Sequence, residues 1–557
     1  MQIEGRLLSV DSRKVPLYRF DVLVIGSGSA GCAAALAAAD CGAEVAVLAK
    51  SSMRETNSSY AKGGIAAVLH PTDSFEQHIA DTLKVGCGLS EQAAVEQVVR
   101  GGPEALNWLM ELGAQFDRST NGELELQREG GHSRPRIAHA GGDATGFEIQ
   151  RSISVALAGH PHITCFESMF VIDVLCGSDG AAVGALVENA LGERSVFSAG
   201  QVILASGGAG QMYRETTNPT IATADGVAIG FRAGAQVRDI EFVQFHPTML
   251  YIAGASRVLI SEIVRGAGGV LRDRKGVRFM IEAHPDGDLA PRDVVSRMVF
   301  ERMVSTGDTN VFLDLSEIKG DPHKLFPSVS RVCAFFGIDI ARDPVPVRPG
   351  AHYQVGGLQV DSEGRTNVAG LLAAGECASS GLHGANRMGS NSLLECLVLG
   401  RRAGLTAANE SMGRALADFE VRPPRDRMAT PEGMQVNISD VTYSLKSLMW
   451  RQMGIQREGQ MIADAGHSID LWMRVISELA PQDRSSWELM NMLTVARLMS
   501  ISAGMRSESR GVHHRVDHPK LDPEWQQHLC LEPCFDAGRI VEVKLRREAV
   551  QSGVPLA

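Results

Sequence analysis

Apolar and polar positions along this chain sort into short continuous apolar runs in its first four hundred residues and into helical stripes near its end. Phe20-Asp21-Val22-Leu23-Val24-Ile25 is a short β-branched, largely apolar run. That pattern suits a strand buried on both faces of a parallel sheet. Gly26-Ser27-Gly28-Ser29-Ala30-Gly31 follows at once, and the Ala-rich stretch from Cys32 to Ala39 favours helix. Gly42 closes that helix and Glu44 to Leu48 read as a second strand, completing a β-α-β unit. Residues 90 to 112 have helical spacing. Residues 200 to 205 repeat the buried-strand pattern and end in Ser206-Gly207-Gly208. Gly370 to Ala374 repeat it again and end in Gly375-Glu376. Strands of one sheet are thus expected on both sides of an insertion at about 240 to 352. Pro423, Pro424 and Pro431 mark a linker. Beyond it, 440–479 and 486–505 carry helical periodicity, which predicts a C-terminal helical domain. There are no internal repeats.

A chain of 557 residues is too long for one core, so two to four structural units are expected. With 44% apolar and 21% charged residues, the balance is that of a globular protein. The formal charge of −11 leaves no basic footprint, which argues against nucleic acid as a partner. Ten cysteines are scattered without a CxxC, which reads as reduced and cytosolic. Charges at Glu4, Arg6, Asp11, Arg13 and Lys14 interrupt any signal-peptide core, and no apolar run approaches the ~20 residues that span a bilayer. The expected location is the cytoplasm, with no membrane partner. His513, His514 and His518 match no zinc spacing, and no metal is expected.

The Gly-x-Gly-x-x-Gly at Gly26, Gly28 and Gly31 sits between a strand and a helix. Gly26 permits the tight turn, Gly28 lets a pyrophosphate approach the backbone, and Gly31 allows close helix–strand packing. The second strand ends in Lys50, where an acid for a ribose is usual. That weakens a plain NAD reading and leaves FAD or another phosphate-bearing ligand.

Longer motifs narrow the choice. Asn57-Ser58-Ser59-Tyr60-Ala61-Lys62-Gly63-Gly64 resembles the flavin-contacting loop of the succinate dehydrogenase/fumarate reductase flavoprotein superfamily. Arg128-Glu129-Gly130-Gly131-His132-Ser133, Gln244-Phe245-His246-Pro247-Thr248, Ser261-Glu262-Ile263-Val264-Arg265-Gly266, Ala290-Pro291-Arg292-Asp293, Ala351-His352-Tyr353 and the run Gly381 to Ser392 continue the resemblance in order. It covers roughly residues 18 to 520. The fold it implies is an α/β Rossmann-like FAD-binding domain (18–239 and 353–420), an inserted α+β capping domain (240–352) and the C-terminal helical domain (421–557). Asn57 stands where the membrane-bound members carry the His that bonds FAD covalently, so the flavin is expected to be noncovalent. Arg-Glu-Gly-Gly-His-Ser is similar to the signature of the branch that oxidises L-aspartate. The resemblance implies that Glu129 helps recognise an α-amino group, which succinate lacks.

The same resemblance implies roles elsewhere. Arg387, His246, His352 and Ser261 line the dicarboxylate site. Arg292 is the proton-transfer residue, and Glu262 and Arg265 relay protons between it and solvent. FAD is expected against Gly26, Ser27, Gly28, Ser29, Ala30 and Gly31, against Lys50, and against the loop Asn57, Ser58, Ser59, Tyr60, Ala61, Lys62, Gly63 and Gly64. Asp225, Glu376, Ser392 and Leu393 complete that set. Asn391 to Ala408 reads as a helix whose N-terminus favours negative charge on the reduced ring. The chain departs from the pattern at Lys62 (commonly Gln), Ala267 (commonly Glu) and Gly389 (commonly Ala). The implied reaction is oxidation of L-aspartate to iminoaspartate, with electrons passing to O2, giving H2O2, or to fumarate. Its product feeds quinolinate synthase and NAD biosynthesis. A soluble fumarate reductase or succinate dehydrogenase flavoprotein is the alternative, and a flavin-binding scaffold without turnover is a third.

Overall fold

The structure is a computed structural model, described for residues 3–4, 7–8, 15–252, 258–411, 436–479, 482–536 and 538–551. The prolines assigned to a linker, Pro423, Pro424 and Pro431, lie outside the described residues.

The first sheet has seven strands: β1 (Leu17–Ile25), β2 (Val45–Leu48), β3 (Ile163–Phe166), β4 (Phe170–Cys176), β5 (Ala182–Glu188), β6 (Arg194–Leu204) and β7 (Leu371–Ala373). Their order is β3-β2-β1-β6-β5-β4, with β7 also beside β6. Val22, Leu23 and Val24 are wholly buried, as a strand covered on both faces requires. β6 runs parallel to β1, with Ile203 opposite Val24, and parallel to β7, with Ile203 opposite Leu372. The sheet is therefore completed by a strand from beyond the insertion. Helix α1 (Ser29–Asp40) starts inside the glycine loop, earlier than its alanines alone suggested. Gly42 has φ +88°, the left-handed geometry that ends it. The second long helix of this layer, α2 (Asn391–Ser411), packs along α1. The stretch expected to be helical over 90–112 is two helices, Gln92–Arg100 and Gly102–Glu111, broken at Gly101-Gly102-Pro103.

The insertion builds its own core. Four antiparallel strands run in the order Val243–Leu250, Val345–Gln354, Val311–Asp314, Val270–Arg272. Helices Arg292–Thr306 and Pro327–Phe335 contribute Val295, Val299 and Cys333 to the cluster beneath them. Three further helices follow, Ile438–Gln452, Gly459–Leu479 and Arg484–Met505. The last stacks Trp487 on Phe170 of β4, with centroids 6.0 Å apart.

The end of the chain brings strands that helical periodicity did not announce. Gln527–Asp536 and Arg539–Ala549 form a hairpin, and its first strand pairs with Val237–Arg238. This sheet continues through Gly357–Gln359 to Ala378–Ser379, so the tail is stitched to both halves of the first domain.

Candidate functional site

A cleft of about 1670 Å³ runs between the glycine loop, the insertion and the start of α2. Its lining comes from the glycine loop, the strand ends and the insertion together, so one cleft joins a dinucleotide-type loop to a cluster of charged side chains.

One end is made by the β1–α1 turn. A Cβ on Gly26 would lie 2.2 Å from the Ala205 carbonyl oxygen, and one on Gly31 would lie 2.0 Å from that of Gly26. Both glycines are required by backbone contact. At Gly28 a Cβ would meet only Ser58 Oγ, at 3.4 Å, which leaves backbone open to a ligand. Gly28 supplies no side-chain cap to α1; the Ser29 N–H is taken by Ser58 Oγ at 3.1 Å, and the dipole of the helix is directed at the cleft. Ser27, Ser29 and Ala30 line this end, while Gly31 stays behind it.

The middle is built from the loop over residues 57–64 and from the strand ends. Asn57, Ser58, Tyr60, Ala61, Lys62, Gly63 and Gly64 line it. Ser59 does not: its hydroxyl is engaged within its own loop, donating to the Arg54 carbonyl at 2.6 Å. Asn57 Nδ2 donates to Glu376 Oε2 at 3.1 Å, and Glu376 Oε1 accepts from the Gln354 amide at 3.0 Å. Burial raises the pKa of the Glu376 carboxyl. Asn57 Oδ1 and Ser29 Oγ are buried without protein partners. Lys50 lines the cleft but is neutralised by Asp225, at 2.7 Å, and Glu488, at 3.0 Å. Two groups expected to face a cofactor therefore also hold each other, and Asn491 Nδ2 donates to the other Asp225 oxygen at 2.8 Å. Lys62 sits 4.0 Å from Asp143, which accepts from Ser328 of the insertion at 2.6 Å. The open glycine backbone, the N-terminal dipole of α1 and the orphaned Asn57 and Ser29 oxygens fit a flavin adenine dinucleotide. These residues would hold it, with Ser392 and Leu393 at the start of α2.

The far end gathers His246, Ser261, Glu262, Arg292, His352 and Arg387 from five separate segments. Arg387 is oriented by Ser392 Oγ, which its Nε reaches at 3.0 Å, and by Gln244 Oε1 at 3.2 Å, with Tyr353 beneath its plane. Burial, then the charge of Arg292, pulls its pKa down to about 10, so it stays cationic at neutral pH. The His246 and His352 rings lie 5.2 Å apart. Burial and the neighbouring guanidinium groups push both pKa values well below the usual histidine range, so both rings are neutral. The Thr248 amide donates to His246 Nδ1 at 3.3 Å, which leaves the ring proton on Nε2.

Behind this wall stands a charge chain. Arg292 Nε donates to Glu262 Oε2 at 2.7 Å, and Arg265 Nη2 lies 3.8 Å from Glu262 Oε1. Arg265 does not line the cleft; it donates to the Asp288 carbonyl near the edge of the insertion. Burial pushes the Glu262 carboxyl up, but the two guanidinium groups outweigh it and hold the pKa below the ordinary value. Arg265 itself is lowered by burial.

Glu129 lies just behind the lining. Its Oε2 accepts from Ser390 Oγ at 2.6 Å. A Cβ on Gly389 would fall 2.9 Å from Arg292 Nη2 and 3.0 Å from Glu129 Oε2, so one glycine separates a cation from a carboxylate. Gln244, Tyr353 and Ser390, which the motifs contain without a role, orient these groups, together with Thr217, which bonds His352 Nδ1 at 2.9 Å. Only Ser390 left a local trace, a φ of +62° in a non-glycine residue, and φ cannot be read from sequence.

Comparison with known proteins places this geometry. The family model for an FAD binding domain matches residues 21–393, and that for a fumarate reductase flavoprotein C-terminus matches residues 442–553. The chain is 42% identical over 529 residues to an L-aspartate oxidase of Mycobacterium tuberculosis, covering 93% of this chain and 96% of the relative. It is 40% identical over 528 residues to that of Streptomyces coelicolor, covering 91% and 90%. Among solved structures, the quinol fumarate reductase of E. coli superposes with a TM-score of 0.88 at 30% identity, over 98% of this chain and 99% of the other.

Proposed function

This chain belongs to the L-aspartate oxidases of the succinate dehydrogenase/fumarate reductase flavoprotein superfamily, and from that premise we propose how its cleft takes and oxidises L-aspartate. It is an FAD-dependent oxidoreductase that removes a hydride from the α-carbon of L-aspartate and yields iminoaspartate. When bound, FAD supplies the hydride acceptor. The carrying observation is a pair of unsatisfied groups: Arg292 Nη1 and Glu129 Oε1 are both buried without hydrogen-bond partners, on two side chains that approach Gly389 through their other atoms, Nη2 and Oε2. One is a free cationic donor and the other a free anionic acceptor, the complement of an amino acid rather than of a plain dicarboxylate.

Arg387 grips one carboxylate with its planar fork, and neutral His246 and His352 donate to carboxylate oxygens with Ser261 nearby. Glu129 takes the ammonium. Arg292, aimed by Glu262, polarises and orients the α-carbon end, and the chain through Glu262 to Arg265 links it to the edge of the insertion. Electrons leave to O2, giving H2O2, or to fumarate, which fits the same cationic set. Iminoaspartate then supplies quinolinate synthesis. Among the described residues no helix is long and apolar enough to cross a membrane.

The test is anaerobic mixing of FAD-loaded protein with L-aspartate and, separately, with succinate. Bleaching of the flavin band by L-aspartate alone, with H2O2 on admitting air, is the expected result. Bleaching by succinate alone would assign the chain to the succinate/fumarate branch.

A further inference from the structure

His139 is a buried titratable group beside this site that the reaction described above does not use. It follows the two-residue strand Ile137–Ala138 and is 1% exposed. Neither ring nitrogen has a protein partner within hydrogen-bond distance. Its carbonyl is fixed by the Asp117 amide at 2.8 Å, so the backbone here is held while the ring is left free. The ring packs on the flavin-contacting loop: a Cβ on Gly64 would lie 3.0 Å from His139 Cε1. Its Nε2 points at Glu129 Oε1, 3.8 Å away, the same oxygen that lacks any other partner. A buried polar group left unmatched costs free energy, so two unmatched groups facing each other need a reason.

Amine oxidation gives the reason. The α-nitrogen must be neutral before hydride departs, because its lone pair forms the new C=N bond. L-Aspartate arrives as an ammonium, so one proton has to leave it inside a closed site. We propose that His139 is the resting place of that proton: the substrate ammonium passes it to the Glu129 carboxylate, which hands it from Oε1 to His139 Nε2. This rests on the L-aspartate reading above. The balance is simple. One N–H bond of the ammonium breaks, one N–H bond forms on the imidazole, and the hydride then leaves the α-carbon with its electron pair as the nitrogen lone pair closes the double bond. The carboxylate ends as it began. Before transfer Glu129 is paired with an ammonium and afterwards with an imidazolium, so no buried charge is left alone at either stage. An unperturbed imidazole is about two pK units more basic than a carboxylate, a margin that burial narrows here and the surrounding carboxylates partly restore.

Burial lowers the His139 pKa, and the charges of Glu129, Asp117 and Glu125 around it work in the opposite direction. The ring is therefore neutral and able to accept before substrate arrives. His139 touches Glu129 rather than substrate, so it is a positioning residue, and a pH profile is the readout that separates it from a structural one.

The experiment follows the rate of flavin reduction by L-aspartate in single-turnover mixing between pH 5 and 10, for the wild type, His139→Asn and His139→Gln, with succinate affinity measured in parallel from the shift of the flavin spectrum. The wild-type rate should rise with pH along a limb well below the titration of the free amine. In the variants that limb should move up towards the free amine, with a loss of about a hundredfold at neutral pH that shrinks as pH rises. Succinate, having no amine, should bind all three alike. An unmoved limb, or a loss equal at every pH, would overturn the proposal. So would a wild-type limb that coincides with the titration of free L-aspartate, a result that needs no folded variant. A wild type that L-aspartate fails to reduce at any pH would instead sink the L-aspartate reading itself.

Discussion

The attachment of the C-terminal hairpin should be pH-sensitive, and the structure gives the size. His528 lies on its first strand, 1% exposed, donating to Asp239 at one ring nitrogen and standing 2.9 Å from Glu91 Oε1 at the other. Burial alone would lower its pKa, but Asp239 and then Glu91 overcome that and raise it from 6.5 to about 9. A proton held more tightly folded than unfolded stabilises the folded state fully below the unfolded value, and that stabilisation is lost as pH rises through the folded value. About 2.5 units at 1.36 kcal/mol each is about 3 kcal/mol, present at pH 6 and gone by about pH 10. Because Glu91, Asp239 and His528 belong to three different segments, the loss falls on local docking as well as global unfolding. Hydrogen exchange of peptides from 527–549, corrected for intrinsic rate, reads it directly. The wild type minus His528→Asn difference in opening free energy should be about 3 kcal/mol larger at pH 6 than at pH 10. A difference that does not change with pH would refute the reasoning, because the ion triad would then contribute nothing through its proton.

Two further outcomes follow from the cleft. Glu262→Gln leaves the Arg292 and Arg265 guanidinium groups buried without their shared carboxylate, which should cost about 3–5 kcal/mol in stability and at least a hundredfold in the rate of flavin reduction; thermal unfolding and stopped-flow mixing check both. Asn57 cannot attach to a flavin ring, so acid precipitation should leave all the FAD in the supernatant, and a yellow pellet would contradict the noncovalent assignment.

What the sequence revealed depended on the range of the interactions. The β1–α1–β2 unit was legible because its signal is local: a buried apolar run, glycines that the backbone itself demands, then alanines. The split of the sheet was legible because β7 repeats the same pattern. Helical spacing was legible over 90–112 because the apolar pattern is local, but the break into two helices at Gly101-Gly102-Pro103 is a matter of backbone geometry. The hairpin was not legible: Arg539–Ala549 carries charged residues at most positions, and Val237–Arg238, the partner of the other strand, Gln527–Asp536, lies some three hundred residues away. Among site residues, the motifs located Arg292, Arg387, His246 and His352 on the cleft. They could not show that Ser59 turns into its own loop, that Lys50 is already matched by Asp225 and Glu488, or that Glu129 stands one side chain behind the lining. Those are facts of orientation, decided by which neighbour offers the stronger partner.

The divided sheet also sets a timetable for biosynthesis. β6 finds its parallel neighbour β7 only about 170 residues later, at Val202 against Leu371, and the helix that caps the flavin end starts at Asn391. At about 5–20 residues per second, a ribosome exposes the edge of β6 for roughly 8–30 s before its partner exists. During that interval the insertion, with its own core, can collapse, while the cofactor cradle stays open along one strand. The cofactor can stabilise the nascent chain only after some seven-tenths of it has been made, and the hairpin that laces the two halves together arrives last.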